Sequence, residues 1–307
     1  MIPRVLADLP VAPVVLELLA DRCLLVPWED PGPVAAILTY GHPTVDAALL
    51  DRHPGVRVIS NFGVGVDHID LNAAVARGIP VGNTPGILDG ATADLAFALI
   101  LAAGRRLVEG VRYAHGPDFV RYDPSFLLGR EVHGSTLGII GMGRIGRQVA
   151  KRAQGFGMTV LYHNRHRNAE AEIALGARYA TKEELLASAD YVVLSVPLTT
   201  QTRGLIGRAE LARMKPTATL VNVARGPVVD QDALTEALAA RKLHAAALDV
   251  TDPEPLPRDH PLLRLDNVII TPHLGSATVE TRRRMAELTV QNLLAGLQGE
   301  PLPCRVV

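Results

Sequence analysis

Short apolar runs and stretches of helical spacing alternate along this chain from one end to the other. Up to about Gly82, the runs Val5–Ala7, Cys23–Val26, Ala35–Leu38, Val56–Ile59 and Ile79–Val81 read as strands. Between them, Ala12–Ala20, Thr44–Arg52 and Asn72–Arg77 carry apolar residues at three- and four-residue intervals, the spacing of one helix face. Strands alternating with helices predict a parallel sheet. One long helix is expected from Ala91 to Arg112, apolar in its first half and suited to bridge two domains. Gly116 to Val132 lacks either period and holds Phe119, Tyr122 and Phe126. It reads as a surface loop or as an interface arm, since exposed aromatic side chains often mark contacts.

The alternation resumes at Ser135 with a denser motif. Thr136–Ile140 is a buried-strand run, followed by Gly141-x-Gly143-x-x-Gly146, a helical pattern over Arg147–Phe156 and a second strand at Thr159–Tyr162. In such a turn the first glycine permits the corner, the second lets a pyrophosphate approach the backbone, and the third lets helix pack on strand. The helix N-terminus adds free N–H groups and partial positive charge for phosphates. Strands follow at Tyr191–Ser195, Thr219–Val223, Ala245–Val250 and Val268–Thr271, with helices at Lys182–Ser188, Arg208–Arg213 and Asp230–Ala240. This half predicts a doubly wound dinucleotide-binding domain. The last helix, Thr278–Leu297, is expected to return to the first half. The predicted fold is α/β with two Rossmann-like doubly wound domains, the smaller one discontinuous: 1–104 with 276–307, and 105–275.

Composition narrows the function. Apolar residues are 48%, charged residues 21%, and the net charge is -1, so no basic excess points to nucleic acid or an anionic membrane surface. The longest apolar runs, such as Leu95–Ala103, are too short for a bilayer, and the N-terminus lacks a signal-peptide pattern. Cys23 and Cys304 form no paired spacing, which suits a reducing cytosol and a cytoplasmic enzyme. The ten histidines show no ligand spacing with carboxylates, so no metal is expected.

Three loops after strands of the second half carry chemistry: Val223–Gly226, Asp249–Pro255 and Thr271–Ala277. Carboxyl ends of strands face the ligand crevice in an open α/β sheet. Arg225, Glu254 and His273 are therefore expected to converge. A guanidinium holds a carboxylate by two parallel bonds, and an imidazolium can give a proton to a carbonyl oxygen as hydride reaches its carbon. A carboxylate beside the ring stabilises its charged form. Reduction of a 2-oxo acid to a 2-hydroxy acid needs these parts.

With those residues in view, the chain resembles the D-isomer-specific 2-hydroxyacid dehydrogenase family nearly end to end. Gly63–Asp70, the glycine fingerprint, Asn222–Gly226, Asp249–Pro255 and Pro272–Ser276 stand in family order. Asp249–Pro257, His260–Leu263 and Leu294–Pro303 are most similar to glyoxylate/hydroxypyruvate reductases. The resemblance implies a flavodoxin-like substrate domain, Arg225 on the substrate carboxylate, His273 as acid/base and Glu254 as its partner. It implies that backbone amides of Val64 and Gly65 join Arg225. It also implies cofactor contacts at Gly141, Gly143, Arg144, Ile145, Gly146, Val196, Pro197, Thr202, Val223, Ala224, Asp249, Gly275 and Ser276. A homodimer through the cofactor domains is implied, with an aromatic such as Tyr122 or Phe119 reaching a partner's substrate.

Cofactor choice is read at the end of the second strand of the fingerprint unit. An acid there accepts bonds from the ribose 2'-OH of NAD. Here Asn164 takes that place, with Arg165 and Arg167 after it. The loop predicts NADP(H), because a carboxylate would repel a 2'-phosphate whereas arginine forks onto it; NAD(H) is the alternative. Other members of the family remain as rivals. Formate dehydrogenases place Gln where this chain has Glu254, phosphoglycerate dehydrogenases often add a regulatory domain, and cofactor-sensing corepressors keep the same Arg, Glu and His.

Overall fold

A computed structural model of the chain describes residues 2–8 and 10–307. In chain order the first stretch gives β1 (Arg4–Ala7), α1 (Pro13–Leu19), β2 (Leu24–Pro27), β3 (Ala36–Thr39), α2 (Ala47–Arg52), β4 (Ile59–Asn61), α3 (Leu71–Ala76) and β5 (Val81–Gly82). Each expected element is present, with ends shifted by at most three residues. The five strands form one parallel sheet in the order β2-β1-β3-β4-β5. Asp46 and Asp70 start α2 and α3 by accepting the N–H groups of Leu49 and Ala73, the bonds that favour Asp at a helix N-cap.

The expected single helix over Ala91–Arg112 is two helices, α4 (Asp89–Gly104) and α5 (Leu107–His115). Between them Arg106 takes a left-handed backbone (φ 51°), and its guanidinium bonds both oxygens of Glu109 at 2.7 and 2.9 Å. The chain then runs through β6 (Thr136–Ile140), α6 (Arg144–Gly155), β7 (Thr159–His163), α7 (Ala169–Leu175), β8 (Arg178–Tyr179), α8 (Lys182–Ser188), β9 (Tyr191–Leu194), α9 (Arg208–Arg213), β10 (Thr219–Asn222), α10 (Gln231–Ala239), β11 (Ala245–Leu248) and β12 (Val268–Ile270). These strands make a seven-stranded parallel sheet, β12-β11-β10-β9-β6-β7-β8. Strand order reverses at β6, whose partners are β9 and β7, so the crevice of this sheet opens at the carboxyl end of β6.

Residues of α4 and α6, among them Ala96, Ile100, Val149 and Ala153, pack on Leu137, Ile139 and Val193 on one face of this sheet. Leu185, Leu211 and Leu234 cover Ile140, Val192 and Leu220 on the other. Strands covered on both faces read as continuous apolar runs, which is why they are legible in the sequence.

The last helix, α11 (Val279–Gln298), belongs with the first sheet. Buried Ser60 donates to the Thr289 carbonyl at 2.7 Å, and buried Asn292 donates to Asn83 O at 3.0 Å while accepting from Cys304 N at 2.9 Å. The two compact units are therefore Met1–Leu88 with Ala277–Val307, and Asp89–Ser276. The boundary expected after residue 104 lies instead after Leu88. The physical reason is α4, whose buried side chains are part of the core of the second sheet. No helix among the described residues is long and apolar enough to cross a membrane.

Candidate active site

The fingerprint turn fits a dinucleotide residue by residue. Gly141 has φ +105°, and a Cβ there would lie 2.7 Å from Ser195 O. A Cβ on Gly146 would collide with the Gly141 carbonyl, so the third glycine, inside α6 rather than before it, sets how closely helix meets strand. A Cβ on Gly143, by contrast, would meet no protein atom within 4 Å. Gly143 is also the N-cap of α6, and no side chain caps that terminus. The donors of the first turn, including Arg144 and Ile145, are thus offered to a ligand rather than to the protein, as a pyrophosphate requires.

Two asparagines fix this turn. Asn164 Oδ1 accepts from Met142 N at 2.7 Å, and Asn168 Nδ2 donates to Met142 O at 3.1 Å. Asn164, directly after β7, therefore tethers the glycine loop. Arg165 is exposed and makes no ion pair among the described residues. Arg167 pairs with Glu172 at 2.7 Å. Val196 and Pro197 follow β9, where Thr202 Oγ1 donates to Pro197 O at 2.6 Å and closes the turn.

The candidate groups Arg225, Glu254 and His273 stand after three adjacent strands, β10, β11 and β12. Asn222, 1% exposed at the end of β10, donates to Arg225 O at 3.0 Å and accepts from Ala224 N at 3.0 Å. That double bond pair spans Val223 and Ala224 and presents Arg225. The next residue is glycine because the turn lies against Thr251 O, where a Cβ would collide. The loop of Arg225 thus touches the loop that carries Glu254.

His273 Nδ1 lies 2.7 Å from Glu254 Oε1. A carboxylate at that distance holds a proton on Nδ1, which leaves Nε2 as the exchangeable position. The His273 backbone is left-handed (φ 55°), a conformation costing an L-residue about 1–2 kcal/mol. Asp249 holds it there. Its carboxylate accepts from Thr271 Oγ1 at 2.6 Å, Leu274 N at 2.7 Å and Gly275 N at 2.8 Å, and its carbonyl accepts from His273 N at 3.0 Å. Asp249, which the resemblance marks as a cofactor contact, is bonded in this way to the turn from Thr271 to Gly275. Burial pushes its carboxyl up, and these hydrogen bonds oppose the shift. Gly275 is close-packed, with Thr92 3.3 Å from where its Cβ would be, and Ser276 ends the unit.

One contributor escaped the sequence reading. Gln231 accepts from Asp252 N at 3.0 Å and donates to Asp252 O at 2.5 Å, clamping the loop before Glu254. A glutamine opening a helix carries no sequence signal for that role. Among the described residues no group of three His, Cys, Asp or Glu side chains could hold a metal.

In the other unit, Val64 and Gly65 lie in the loop after β4. Asn83 Nδ2 donates to Val64 O at 2.9 Å and Asn61 Nδ2 to Gly65 O at 2.9 Å. The N–H groups of Val64 and Gly65 have no acceptor among the described residues. Tyr122 is 81% exposed and Phe119 51%; Phe119 and Phe126 lie against Tyr113.

The chain is similar to known proteins along nearly its whole length. Residues 97–275 match the family model described as D-isomer specific 2-hydroxyacid dehydrogenase, NAD binding domain. The chain is 44% identical to a glyoxylate reductase of Korarchaeum cryptofilum over 316 residues, covering 99% of this chain and 95% of that protein. Among solved structures, a protein of Thermus thermophilus superposes with a TM-score of 0.91 at 45% identity, covering 99% of this chain and 100% of that one. An NADPH-dependent glyoxylate/hydroxypyruvate reductase of Sinorhizobium meliloti, in complex with NADP and malonate, gives 0.90 at 33% identity, covering 100% and 97%.

Proposed function

The chain belongs to the D-isomer-specific 2-hydroxyacid dehydrogenase family, NAD(P)-dependent oxidoreductases, and from that premise we propose that it reduces glyoxylate and hydroxypyruvate to their D-2-hydroxy acids with NADPH in preference to NADH. The observation that carries this reading is the His273 Nδ1–Glu254 Oε1 contact of 2.7 Å on the strand edge that also bears Arg225. The dinucleotide, when bound, supplies the hydride that reaches the carbonyl carbon. Arg225 grips the substrate carboxylate through its fork of N–H donors. His273 gives the proton on Nε2 to the carbonyl oxygen, which becomes the hydroxyl, and Glu254 stabilises the ring while it is charged. In the reverse direction the same nitrogen takes the proton back.

NADPH preference is supported by Asn164 and Arg165. Neither repels a 2'-phosphate, and Arg165 has a guanidinium to offer it. The test is a steady-state panel of glyoxylate, hydroxypyruvate, pyruvate and phenylpyruvate with each cofactor. We expect glyoxylate and hydroxypyruvate to lead, with kcat/KM higher for NADPH. Cofactor binding without turnover of any 2-oxo acid would overturn the enzymatic reading in favour of a cofactor-sensing module. In Asn164→Asp the ratio of kcat/KM for NADPH over NADH is expected to fall about tenfold or more, the size of ~1.4 kcal/mol of added repulsion. The new carboxylate can still accept from Met142 N, so the glycine loop stays in place.

A homodimer is part of the same reading. α5 has no buried residue, and Leu107, Val111, Phe119, Tyr122, Phe126 and Leu128 are all exposed along one segment of the cofactor-binding unit. So much apolar surface in one stretch marks a contact. Sedimentation equilibrium is expected to give twice the chain mass of 32.8 kDa; a monomer at micromolar concentration would overturn this part.

A further inference from the structure

The first turn of α7 carries two carboxylates, Glu170 and Glu172, and each is paired with an arginine near the fingerprint. Glu170 bonds Arg147 at 2.6 and 3.0 Å. Glu172 bonds Arg167 at 2.7 and 3.1 Å. Glu172 is held from a second side as well: the Tyr162 hydroxyl donates to its Oε1 at 2.6 Å and itself accepts from Asn168 N at 2.7 Å. Tyr162 is buried in β7, the strand that leads to Asn164. The Arg167 guanidinium, in turn, lies 5.7 Å from the centre of the Tyr179 ring. The Arg167 bonds, and next the Tyr162 bond, hold the Glu172 carboxyl below the usual carboxylate range, so it is ionised at neutral pH.

The charge count at the loop follows. Arg165 and Arg167 bring two positive charges, and Glu172 cancels one of them at contact distance. Of these two arginines, only Arg167 has an ion pair among the described residues. We propose that Glu172 is a specificity-determining residue of the cofactor site: it withholds Arg167 from the adenosine 2'-phosphate, so that discrimination rests on Arg165 and the enzyme keeps its ability to use NADH. This assignment rests on the reading that the loop from Asn164 to Arg167 meets the adenosine ribose. Two effects act in the same direction. A guanidinium whose Nε and Nη2 are already bonded to a carboxylate has its charge offset and its side-on fork occupied, leaving phosphate only the remaining Nη hydrogens, and the carboxylate itself repels a doubly charged phosphate close by.

The test is Glu172→Gln, which keeps the size of the side chain and an acceptor for Tyr162 but removes the charge. Dissociation constants for NADPH and NADH are measured on each variant by nicotinamide fluorescence at low ionic strength. NADPH is expected to bind about five- to tenfold tighter in Glu172→Gln, with NADH within about twofold of the parent protein. In the double variant Glu172→Gln, Arg167→Ala the gain is expected to disappear, because the released cation is gone. Tyr162→Phe, which removes the hydroxyl link and no charge, is expected to leave the NADPH/NADH ratio in place. Should Glu172→Gln fold poorly, Glu172→Ser removes the same charge and is expected to move the ratio in the same direction. An unchanged ratio, or NADPH and NADH shifting together, would overturn the assignment and leave Glu172 a structural clamp. A parent protein that favours NADH would overturn the NADPH reading alone, since the role of Glu172 is read from the change in ratio.

Discussion

In His273→Gln, kcat for 2-oxo acid reduction is expected to fall about 10²–10⁴-fold, the range that a positioned general acid contributes. Glutamine can still donate a hydrogen bond to the carbonyl oxygen, but it has no proton to release at neutral pH. Binding energy is therefore largely kept and the chemical step is lost, so kcat falls while KM for the acid moves little. NADPH affinity, measured by fluorescence, should stay within about twofold. Glu254→Gln should produce a smaller loss of the same kind. It keeps the oxygen near Nδ1, 2.7 Å away in the parent protein, but no longer balances a charged ring. If His273→Gln kept kcat within about tenfold of the parent value, His273 would not be the proton donor.

The second large effect is expected at Arg225. Truncation to alanine leaves the substrate carboxylate without its charged fork, and losses of this kind cost about 2–5 kcal/mol. That is roughly a 30-fold to several-thousand-fold fall in kcat/KM. Most of it should appear in KM, because the carboxylate is held in ground state and transition state alike. Arg225→Lys is expected to recover only part, since an ammonium is a point charge without the planar two-donor geometry. Asn222 holds both sides of this turn, so the backbone should persist in either variant, and thermal melting with cofactor titration would verify that it does. An Arg225→Ala protein with unchanged KM for glyoxylate would remove the guanidinium from the proposed site.

Much of this arrangement is legible in the sequence. Thr136–Ile140, Lys182–Ser188 and Arg208–Arg213 are expected with the bounds the structure gives them. These elements declare themselves locally: a strand buried on both faces is a continuous apolar run, and α8 opens with a capping box between Thr181 and Glu184. The break after Gly104 is not legible. It depends on Arg106 adopting a left-handed conformation and bonding Glu109, in a stretch whose spacing reads as one continuous helix. Nor is the unit boundary, because α4 is apolar on nearly every side and so gives no sign of which core receives it. The pairing of Arg167 with Glu172 is also hidden. Arg167 precedes α7, so the pair lacks the three- or four-residue spacing that flags an ion pair within one helix.

What the sequence determined by itself is the order of βα units and the kinds of side chain placed at strand ends, since both follow from short-range pattern. Glycines at 141, 143 and 146, an arginine at 225, an acid at 254 and a histidine at 273 are the parts on which the proposed hydride-transfer site draws. Which atoms meet was decided only by the tertiary structure. Parallel pairing of β10, β11 and β12 brings Glu254 to His273 across 19 residues of chain and Asp249 to Gly275 across 26. Register in a parallel sheet is set by packing on both of its faces, and no local run of residues contains that information.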